Sequence, residues 1–495
     1  MAAPMQEPDT LGFDQTTTQF VNWFTAANGT RLSPKVQLKD LRHENAGRGA
    51  VAIADIASDE ELFAIPRSLV LTTATSSIPR SVLKELEDKG ATGAWPPLIV
   101  TIIYEYLRGE SSPWHPYFKI LPTTFNTLMF WNDAELAELQ ASAVVDKIGR
   151  RQAEEEWQNT IIPTMADHPD LFPVGGSSAK LIELAHMAGS LIMAYAFDID
   201  RDDMEDDNDN DKDGADSADD EFEEDDEDEP FKGMVPFADM LNADADKNNA
   251  RLFQEPDYLI MKATKPISAG EQIFNDYGPL PRSDLLRMYG YVTDNYAQYD
   301  VVEFSHDLLL EVAGKHSKSK DQVWREREQQ LDELGVLDDG YAITRPEYDT
   351  QGLQDVLPGQ VHMLLRALCA REDDPKALKK PKDAVTVEEA ALLQAVLTKK
   401  LSEYATSYET DQAIWGALRS NPPGFNVPAG CNPQRFWMAL QVRIGEKEIL
   451  RQLIALCQAH IKQKSEEVAA GASKRKHDGS TDTQSRKTAR REKHR

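Results

Sequence analysis

Before about residue 300, the chain alternates hydrophobic and polar positions over short stretches. The segment Ala50–Leu71 alternates in this way around a polar interruption at Ser58–Glu60, which predicts two short strands joined by a turn. Two further strands are predicted at Tyr258–Lys265 and Gln272–Asn275, separated by a turn that contains proline and glycine. This part of the chain is therefore predicted to contain short β-sheets.

Helical spacing of apolar residues appears in the same part of the chain, at Leu98–Leu107 and Leu181–Phe197. Beyond about residue 300 this pattern dominates. Thr386 and Glu389 form a capping-box signal before one amphipathic helix, and Phe436–Ile461 predicts another long one. The pattern as a whole predicts a mixed α+β region followed by a helical region.

Charge is concentrated in two segments of this 495-residue chain, whose net charge is −30. Asp198–Glu229 holds 21 acidic residues against two basic ones and has no periodic hydrophobic residues. We predict a disordered acidic insertion over residues 198–230. Lys474–Arg495 holds nine Lys or Arg against three acidic residues, and we predict a disordered basic tail over residues 467–495.

The composition excludes several classes of protein. No run of eighteen apolar residues is present, so we expect no membrane-spanning helix and no membrane partner. The first ten residues have neither a basic region nor an apolar core, so we expect no secretion signal. Cys369, Cys431 and Cys457 lie far apart, which indicates reduced thiols and no metal site.

Four short motifs contain polar and small residues that packing of a hydrophobic core does not require. Asn45–Gly49 precedes a predicted strand, and its glycines permit close backbone approach to a ligand, although taken alone the motif favours a simple β-turn. Pro236–Asn242 places two polar side chains in an apolar setting, which also suits an Asx turn or a helix cap. Asn275–Gly278 ends a strand, and Tyr289–Tyr291 repeats the pairing of tyrosine with glycine; packed aromatic residues are the alternative explanation.

In order and approximate spacing, these motifs resemble the signature segments of the SET-domain protein-lysine methyltransferases. The resemblance runs from about Gln19 to Glu466 and is strongest to the subgroup of Rubisco lysine methyltransferase and SET domain-containing protein 6. It implies an α+β fold: a SET domain with short β-sheets, a threaded knot-like crossing and a helical insert, followed by an all-helical substrate-binding domain. The implied boundaries are 19–300 for the SET domain, about 76–197 for its insert, and 301–466 for the second domain.

The resemblance implies S-adenosylmethionine as the cofactor. Backbone groups of the first motif would hold its methionine part, the threaded segment would bind it from the other side, and one tyrosine would close the pocket. Carried over position by position, these residues are Ala46, Gly47, Arg48, Gly49, Asn242, Ala243 and Tyr195. Family members commonly have Asn-His where this chain has Asn242-Ala243.

For the transfer step, the resemblance implies Tyr277 as the catalytic tyrosine. Asp239 and Tyr289 would line the channel that admits the substrate lysine, and Trp114 is interpreted as a packing residue. The cysteine-rich zinc regions that flank many histone methyltransferases are absent from this sequence, which favours a non-histone protein substrate. Within the subgroup the chain looks like the fungal ribosomal lysine methyltransferases, which implies a large-subunit ribosomal protein as substrate.

Three other interpretations remain open at this point: a chromatin or transcription-factor substrate, a non-catalytic SET-like binding module, and an acidic chaperone for basic proteins. The tail carries basic clusters at Lys474–Lys476 and Arg486–Arg491, which resemble a bipartite nuclear-import signal or else an rRNA-contacting tail. We expect residence in the nucleus, a monomer, and no direct nucleic-acid binding outside this tail.

Overall fold

The structure is a computed structural model that describes residues 10–44, 46–200, 231–315, 322–347, 350, 352–371, 374, 377–379, 384–420 and 427–489. The acidic residues 201–230 and the last six residues therefore lie outside the described part of the chain. The strands are β1 Arg31–Leu32, β2 Val36–Asp40, β3 Arg48–Ala52, β4 Glu61–Pro66, β5 Ala196–Ile199, β6 Phe231–Met234, β7 Ala250–Gln254, β8 Tyr258–Ala263, β9 Gln272–Ile273, β10 Val301–Ser305 and β11 Gly340–Thr344.

Helices make up most of the remaining structure. They are α1 Thr10–Ala26, α2 Arg80–Asp88, α3 Trp95–Leu107, α4 His115–Phe118, α5 Asp133–Ala137, α6 Arg150–Asn159, α7 Ile161–Asp167, α8 Ser178–Tyr195, α9 Arg282–Tyr289, α10 His306–Val312, α11 Gln322–Glu333, α12 Leu353–Val356, α13 Gly359–Cys369, α14 Val387–Glu403, α15 Tyr408–Ser420 and α16 Pro433–Ala489. Within the described part of the chain, none of these helices is both long and apolar enough to span a membrane.

The strands before residue 300 form small antiparallel sheets. One sheet has the order β1-β4-β8-β7, a second has the order β2-β3-β9, and β5 pairs with β6. The predicted strands at 50–71 and 258–265 are confirmed as β3, β4 and β8, and Asp59, in the predicted turn, has φ of 64°. The last predicted strand is shorter than expected and ends at Ile273.

Two predicted boundaries around the acidic insertion are wrong. The helix predicted over residues 181–197 ends at Tyr195, because Ala196 and Phe197 pair with Met234 and Gly233 as part of β5. The insertion was predicted to begin at Asp198, but this residue is also in β5, where its carboxylate pairs with the Lys232 ammonium at 2.5 Å. The described strands therefore hold the two ends of the insertion side by side.

Two hydrophobic cores divide the described residues. The first contains buried residues from Phe20 to Ile273, and the second contains buried residues from Val302 to Cys457. A smaller cluster joins the insert and α9 to α16, with Leu128, Leu286 and Met438 among its members. The second region is helical except for the antiparallel pair β10–β11, which the hydrophobic pattern did not predict.

The capping box predicted at Thr386 and Glu389 is confirmed, because each side chain accepts a hydrogen bond from the backbone amide of the other residue. The tail predicted as disordered from residue 467 instead continues α16 as far as Ala489. Alanine, lysine, arginine and glutamine are good helix formers, and extending an existing helix avoids the cost of nucleation.

Candidate active site

Two distant segments cross next to β3. The Asn275 amide donates to the Asn242 carbonyl oxygen at 2.9 Å, and Ala243 forms a parallel bridge with Asn275. The Asn242 side chain donates through Nδ2 to the Arg48 carbonyl oxygen at 3.1 Å. Three of the four predicted motifs therefore meet at one place, and Tyr277 lies only two residues beyond the crossing.

Gly49 allows this close approach. An added Cβ atom would lie 2.9 Å from Asn242 Nδ2, 2.5 Å from Leu41 Cδ1 and 2.4 Å from Gln272 Nε2. Separations below 3.0 Å essentially never occur for real Cβ atoms, so no larger residue fits without movement. Gly47 has φ of 61°, and its carbonyl oxygen accepts from the Leu41 amide at 2.7 Å. The preceding Ala46 amide donates back to the Leu41 carbonyl oxygen, which closes the turn.

The Arg48 side chain points away from the crossing. Its guanidinium donates to the hydroxyls of Thr16 and Thr17 at 2.9 Å and to the Ile120 carbonyl oxygen at 3.0 Å. It also lies 3.9 Å from the ring centre of Phe13. Burial lowers the pKa of the Arg48 guanidinium to about 10. The side chain therefore holds α1 against the sheet, and only the Arg48 backbone faces the crossing.

Tyrosine rings gather beside the crossing. Tyr277 stacks on Tyr289 with ring centres 4.2 Å apart and planes at 7°, and Tyr289 contacts Tyr291 edge-on at 6.5 Å. Helix α9 ends at Gly290, whose φ of 77° turns the chain between the last two rings. Desolvation by burial raises the pKa of Tyr277 well above its usual range, and neighbouring tyrosines, including Tyr195, raise it further. Tyr277 therefore stays a neutral phenol that can donate or accept a hydrogen bond.

Asp239 is a buried carboxyl in the short turn that follows β6. Phe237, two residues earlier, has φ of 82°, a conformation that is costly for a bulky residue and that the packed core around its ring maintains. The Tyr117 hydroxyl donates a short hydrogen bond to Asp239 Oδ2. Burial raises the pKa of Asp239 to about 8, although the Tyr117 hydroxyl opposes the shift. Among the residues that the structure describes, Asp239 Oδ1 has no hydrogen-bond partner.

Tyr195 ends α8 and is electrostatically coupled to both Asp239 and Tyr277, which links the candidate channel residue to the candidate catalytic one. Burial raises the pKa of Tyr195 to about 12. The structure thus gathers the predicted site residues in one region, on β3 and the turn before it, on the segments after β6 and β9, on α8 and on α9. What each of them contacts during a reaction stays a prediction.

Three further residues of this region were not among the predicted site residues. Tyr117 is fully buried and bonded to Asp239, although the two residues are 122 positions apart. Gln272 Nε2 is buried beside Gly49 with no partner in the described part of the chain. Tyr291 completes the tyrosine cluster, and the repeated Tyr-Gly-Tyr pattern is the one sequence signal that pointed to it. The other two carry no local signal.

Comparisons with known proteins agree with this geometry. Residues 47–278 match the SET domain family, and residues 318–450 match the Rubisco LSMT substrate-binding family. The chain is 38% identical over 304 residues to yeast ribosomal lysine N-methyltransferase 4, covering 60% of each chain. It is 30% identical over 461 residues to human N-lysine methyltransferase SETD6, covering 87% of this chain and 89% of that protein.

Solved structures also resemble the fold. A crystal structure of the SET domain of LSMT bound to lysine and AdoHcy has a TM-score of 0.63 at 20% identity, covering 90% of this chain and 91% of that chain. These similarities confirm the predicted family resemblance and the predicted fold, a SET domain followed by a predominantly helical substrate-binding domain.

Proposed function

The chain belongs to the SET-domain family of protein-lysine N-methyltransferases, and from this premise we propose that it transfers a methyl group from S-adenosylmethionine to a lysine of a ribosomal protein. The observation that carries the proposal is the crossing of Asn242 with Asn275 beside the stacked rings of Tyr277 and Tyr289. This crossing brings a main-chain turn for a cofactor next to an aromatic site for an amine.

The crossing suits a ligand that carries polar groups. Gln272 Nε2 is buried next to Gly49 without a partner among the described residues, so it offers a donor to a bound molecule. We propose that Asn242, Ala243 and Gln272 hold the cofactor together with the adjoining backbone of residues 46–49. Tyr195 closes the pocket. The cofactor supplies a methyl group that is already activated for transfer.

The protein then has to position and deprotonate the lysine. A free lysine has a pKa of about 10.4, and a desolvated aromatic channel favours the neutral amine over the ammonium. The Tyr277 hydroxyl orients the amine in line with the methyl group, and such alignment supplies much of the rate enhancement. The faces of Tyr277 and Tyr289 tolerate the alkylated cation that is formed.

Asp239 is the second polar group that we place in the channel. Its free Oδ1 atom accepts a hydrogen bond from the entering lysine, and the Tyr117 hydroxyl fixes the orientation of the carboxyl group. In this role the Oδ1 atom gains the hydrogen-bond partner that it lacks among the described residues of the free protein.

Two observations support a ribosomal protein as the substrate. The similarity to yeast ribosomal lysine N-methyltransferase 4 includes 38% identity over the aligned region. The net charge of −30 attracts basic proteins, and RNA-binding proteins of the ribosome are rich in lysine and arginine. The two basic clusters of the tail support residence in the nucleus, where such a protein is available before ribosome assembly.

The direct test is to incubate the full-length protein with S-adenosylmethionine labelled at the methyl group, together with yeast ribosomal proteins. We expect label in one large-subunit band, which mass spectrometry then assigns to a lysine. Label confined to a parallel chromatin fraction would support the chromatin alternative instead. Absence of label from every protein in both fractions would contradict methyl transfer itself.

A further inference from the structure

A cavity of about 360 Å³ lies in the helical insert, outside the residues proposed to bind the cofactor and the lysine. Helices α3, α6 and α8 and the loop of residues 127–129 line it. Its apolar lining includes Trp95, Met129, Trp157 and Met193. This volume is within the range of small-ligand sites, and a lining of indole rings and thioethers suits a flat aromatic group.

Two polar side chains of this lining each have one atom with no hydrogen-bond partner among the described residues. His186 is 7% exposed, and its Nε2 atom lies 2.7 Å from Glu154 Oε1. A carboxylate can only accept, so Nε2 carries the hydrogen, and in the neutral imidazole Nδ1 is left as an acceptor. Burial lowers the pKa of His186, which favours this neutral form. Nδ1 has no partner in the part of the chain that the structure covers.

Thr127 is 3% exposed, and its hydroxyl likewise has no partner among the described residues. It stands at the start of a short 3-10 helix, but its side chain makes no capping hydrogen bond there. Leaving a buried polar group unpaired is unfavourable, because the group loses its hydrogen bonds to water and gains none in the protein. The folded chain therefore gains nothing from this hydroxyl, and a ligand that pairs with it explains its position.

The cavity borders the candidate lysine channel. A Cβ atom on Gly290 would lie 2.9 Å from the Thr127 backbone nitrogen, so the cavity loop touches the turn between Tyr289 and Tyr291. On the opposite wall, Met193 is two residues before Tyr195 on the same helix. The cavity therefore adjoins the turn of the tyrosine cluster, a position that suits a residue flanking the lysine in the same bound segment.

We propose that this cavity binds a tyrosine side chain of the substrate protein that flanks the target lysine. Its phenol donates to His186 Nδ1 and accepts from the Thr127 hydroxyl, while its ring packs between Trp95 and Trp157. Phenylalanine can fill the space but pairs with neither polar atom, and the tryptophan indole donates without accepting. The tyrosine assignment rests on the proposed function, because it makes the cavity part of the peptide site.

The first test measures binding without catalysis. The full-length protein is titrated with N-acetyltyrosinamide and with N-acetylphenylalaninamide by calorimetry. We expect the tyrosine derivative to bind about tenfold more tightly, and Thr127→Val to remove that difference without lowering the melting temperature. Thr164→Val is the matched control, because the Thr164 hydroxyl donates to the Thr160 carbonyl oxygen at 2.9 Å and lies in α7, outside the cavity lining. It should keep the preference for tyrosine.

The second test measures methyl transfer to a library of lysine peptides that carry tyrosine or phenylalanine at each flanking position. We expect one position at which tyrosine raises kcat/KM about tenfold over phenylalanine, and Thr127→Val should cancel this advantage. Equal binding of the two amides, or transfer without any tyrosine preference, would overturn the proposal. If no peptide is methylated, the proposed function fails and so does the substrate assignment, while the amide titration still decides whether the cavity recognises a phenol.

Discussion

Two regions of this protein bury polar groups, and they treat them in opposite ways. At the junction of the insert with α15 and α16, Asp411 is fully buried and accepts hydrogen bonds from Arg443 and Lys447. Arg443 also pairs with Glu138 of the insert. In the candidate active site, Asp239 and Gln272 are each left with an atom that has no partner among the described residues.

The difference separates a structural role from a binding role. A buried charge is tolerated when charged partners surround it. Removing one partner leaves the remaining buried charges uncompensated for their loss of hydration, which is strongly destabilising. An unpaired buried atom stabilises nothing in the folded chain, so a ligand or substrate that pairs with it accounts for its position. On this basis the ionic junction has a structural role, whereas we propose that the unpaired atoms of the candidate active site pair with the cofactor and the lysine.

The largest expected effect is at the junction. Replacement of Asp411 by alanine leaves Arg443 and Lys447 buried without their shared carboxylate, which should lower the free energy of unfolding by about 3–5 kcal/mol. Denaturant titration of the full-length protein measures this. Glu409→Ala on the same helix removes an exposed ion pair with Arg451 and should change the unfolding midpoint little. Equal midpoint shifts in the two variants would contradict the structural role of the junction.

The next effect concerns catalysis and leaves stability almost unchanged. Tyr277→Phe keeps the ring that stacks on Tyr289 but removes the hydroxyl that orients the amine, so kcat should fall about 100-fold. Cofactor affinity should change little. Methyl transfer and cofactor titration are measured in parallel, with Tyr258→Phe on the outer sheet as the control. Turnover at the normal rate in Tyr277→Phe would remove this residue from the catalytic role.

A third effect tests the close approach at the crossing. Gly49→Ala places a Cβ atom within 3.0 Å of the side-chain ends of Asn242 and Gln272, so these side chains must move, at a cost of about 1–3 kcal/mol. The affinity for the cofactor should fall as well. Gly416→Ala, in an exposed turn of α15 where an added Cβ meets nothing within 4 Å, is the control and should be neutral or slightly stabilising. Unchanged cofactor affinity in Gly49→Ala would argue against a cofactor site at the crossing.

Motifs with a local physical cause were predictable from the sequence. The Thr386 capping box and the strands around Asp59 depend on residues a few positions apart, and the structure reproduces them. The association of Asn242 with the Tyr277 segment depends on a long-range crossing that no periodicity encodes. It was predicted through the family resemblance alone, and the hydrogen bond between Asn275 and Asn242 confirms that the segments meet.

What the sequence did not reveal is set by tertiary contacts. The bond from Tyr117 to Asp239 joins the insert to the segment after β6, and no local pattern links two residues that are 122 positions apart. The sequence likewise gives no reason for the glycine at position 445, inside α16. The structure supplies one: a Cβ atom on Gly445 would lie 2.3 Å from Asp300 Oδ2, so the glycine lets α16 pass over the buried pair of Asp300 and Arg282.

The last prediction tests whether the buried Asp239 carboxyl, whose Oδ1 atom lacks a partner among the described residues, lowers the stability of the free protein. The pKa of Asp239 is raised to about 8 by burial, from an ordinary value of 3.8. Between these values the folded chain keeps a proton that the unfolded chain has lost, so stability should fall as pH rises, by at most ~1.4 kcal/mol per pH unit, and level off above the folded pKa. Asp239→Asn removes this contribution.

The measurement is the difference in unfolding free energy between the wild type and Asp239→Asn at several pH values from 5.5 to about 8.5. Burial also raises the pKa of Glu446, to about 7. Its contribution to the pH dependence of stability has the same sign, but it is present in both proteins and cancels in the difference. We expect the wild type to lose stability relative to Asp239→Asn as pH rises. A difference that does not vary with pH would mean that Asp239 is already stabilised as an anion in the free protein. In that case Asp239 would be a stabilised buried charge, as Asp411 is. The contrast between the junction and the candidate active site would then fail at Asp239, the residue on which it depends most.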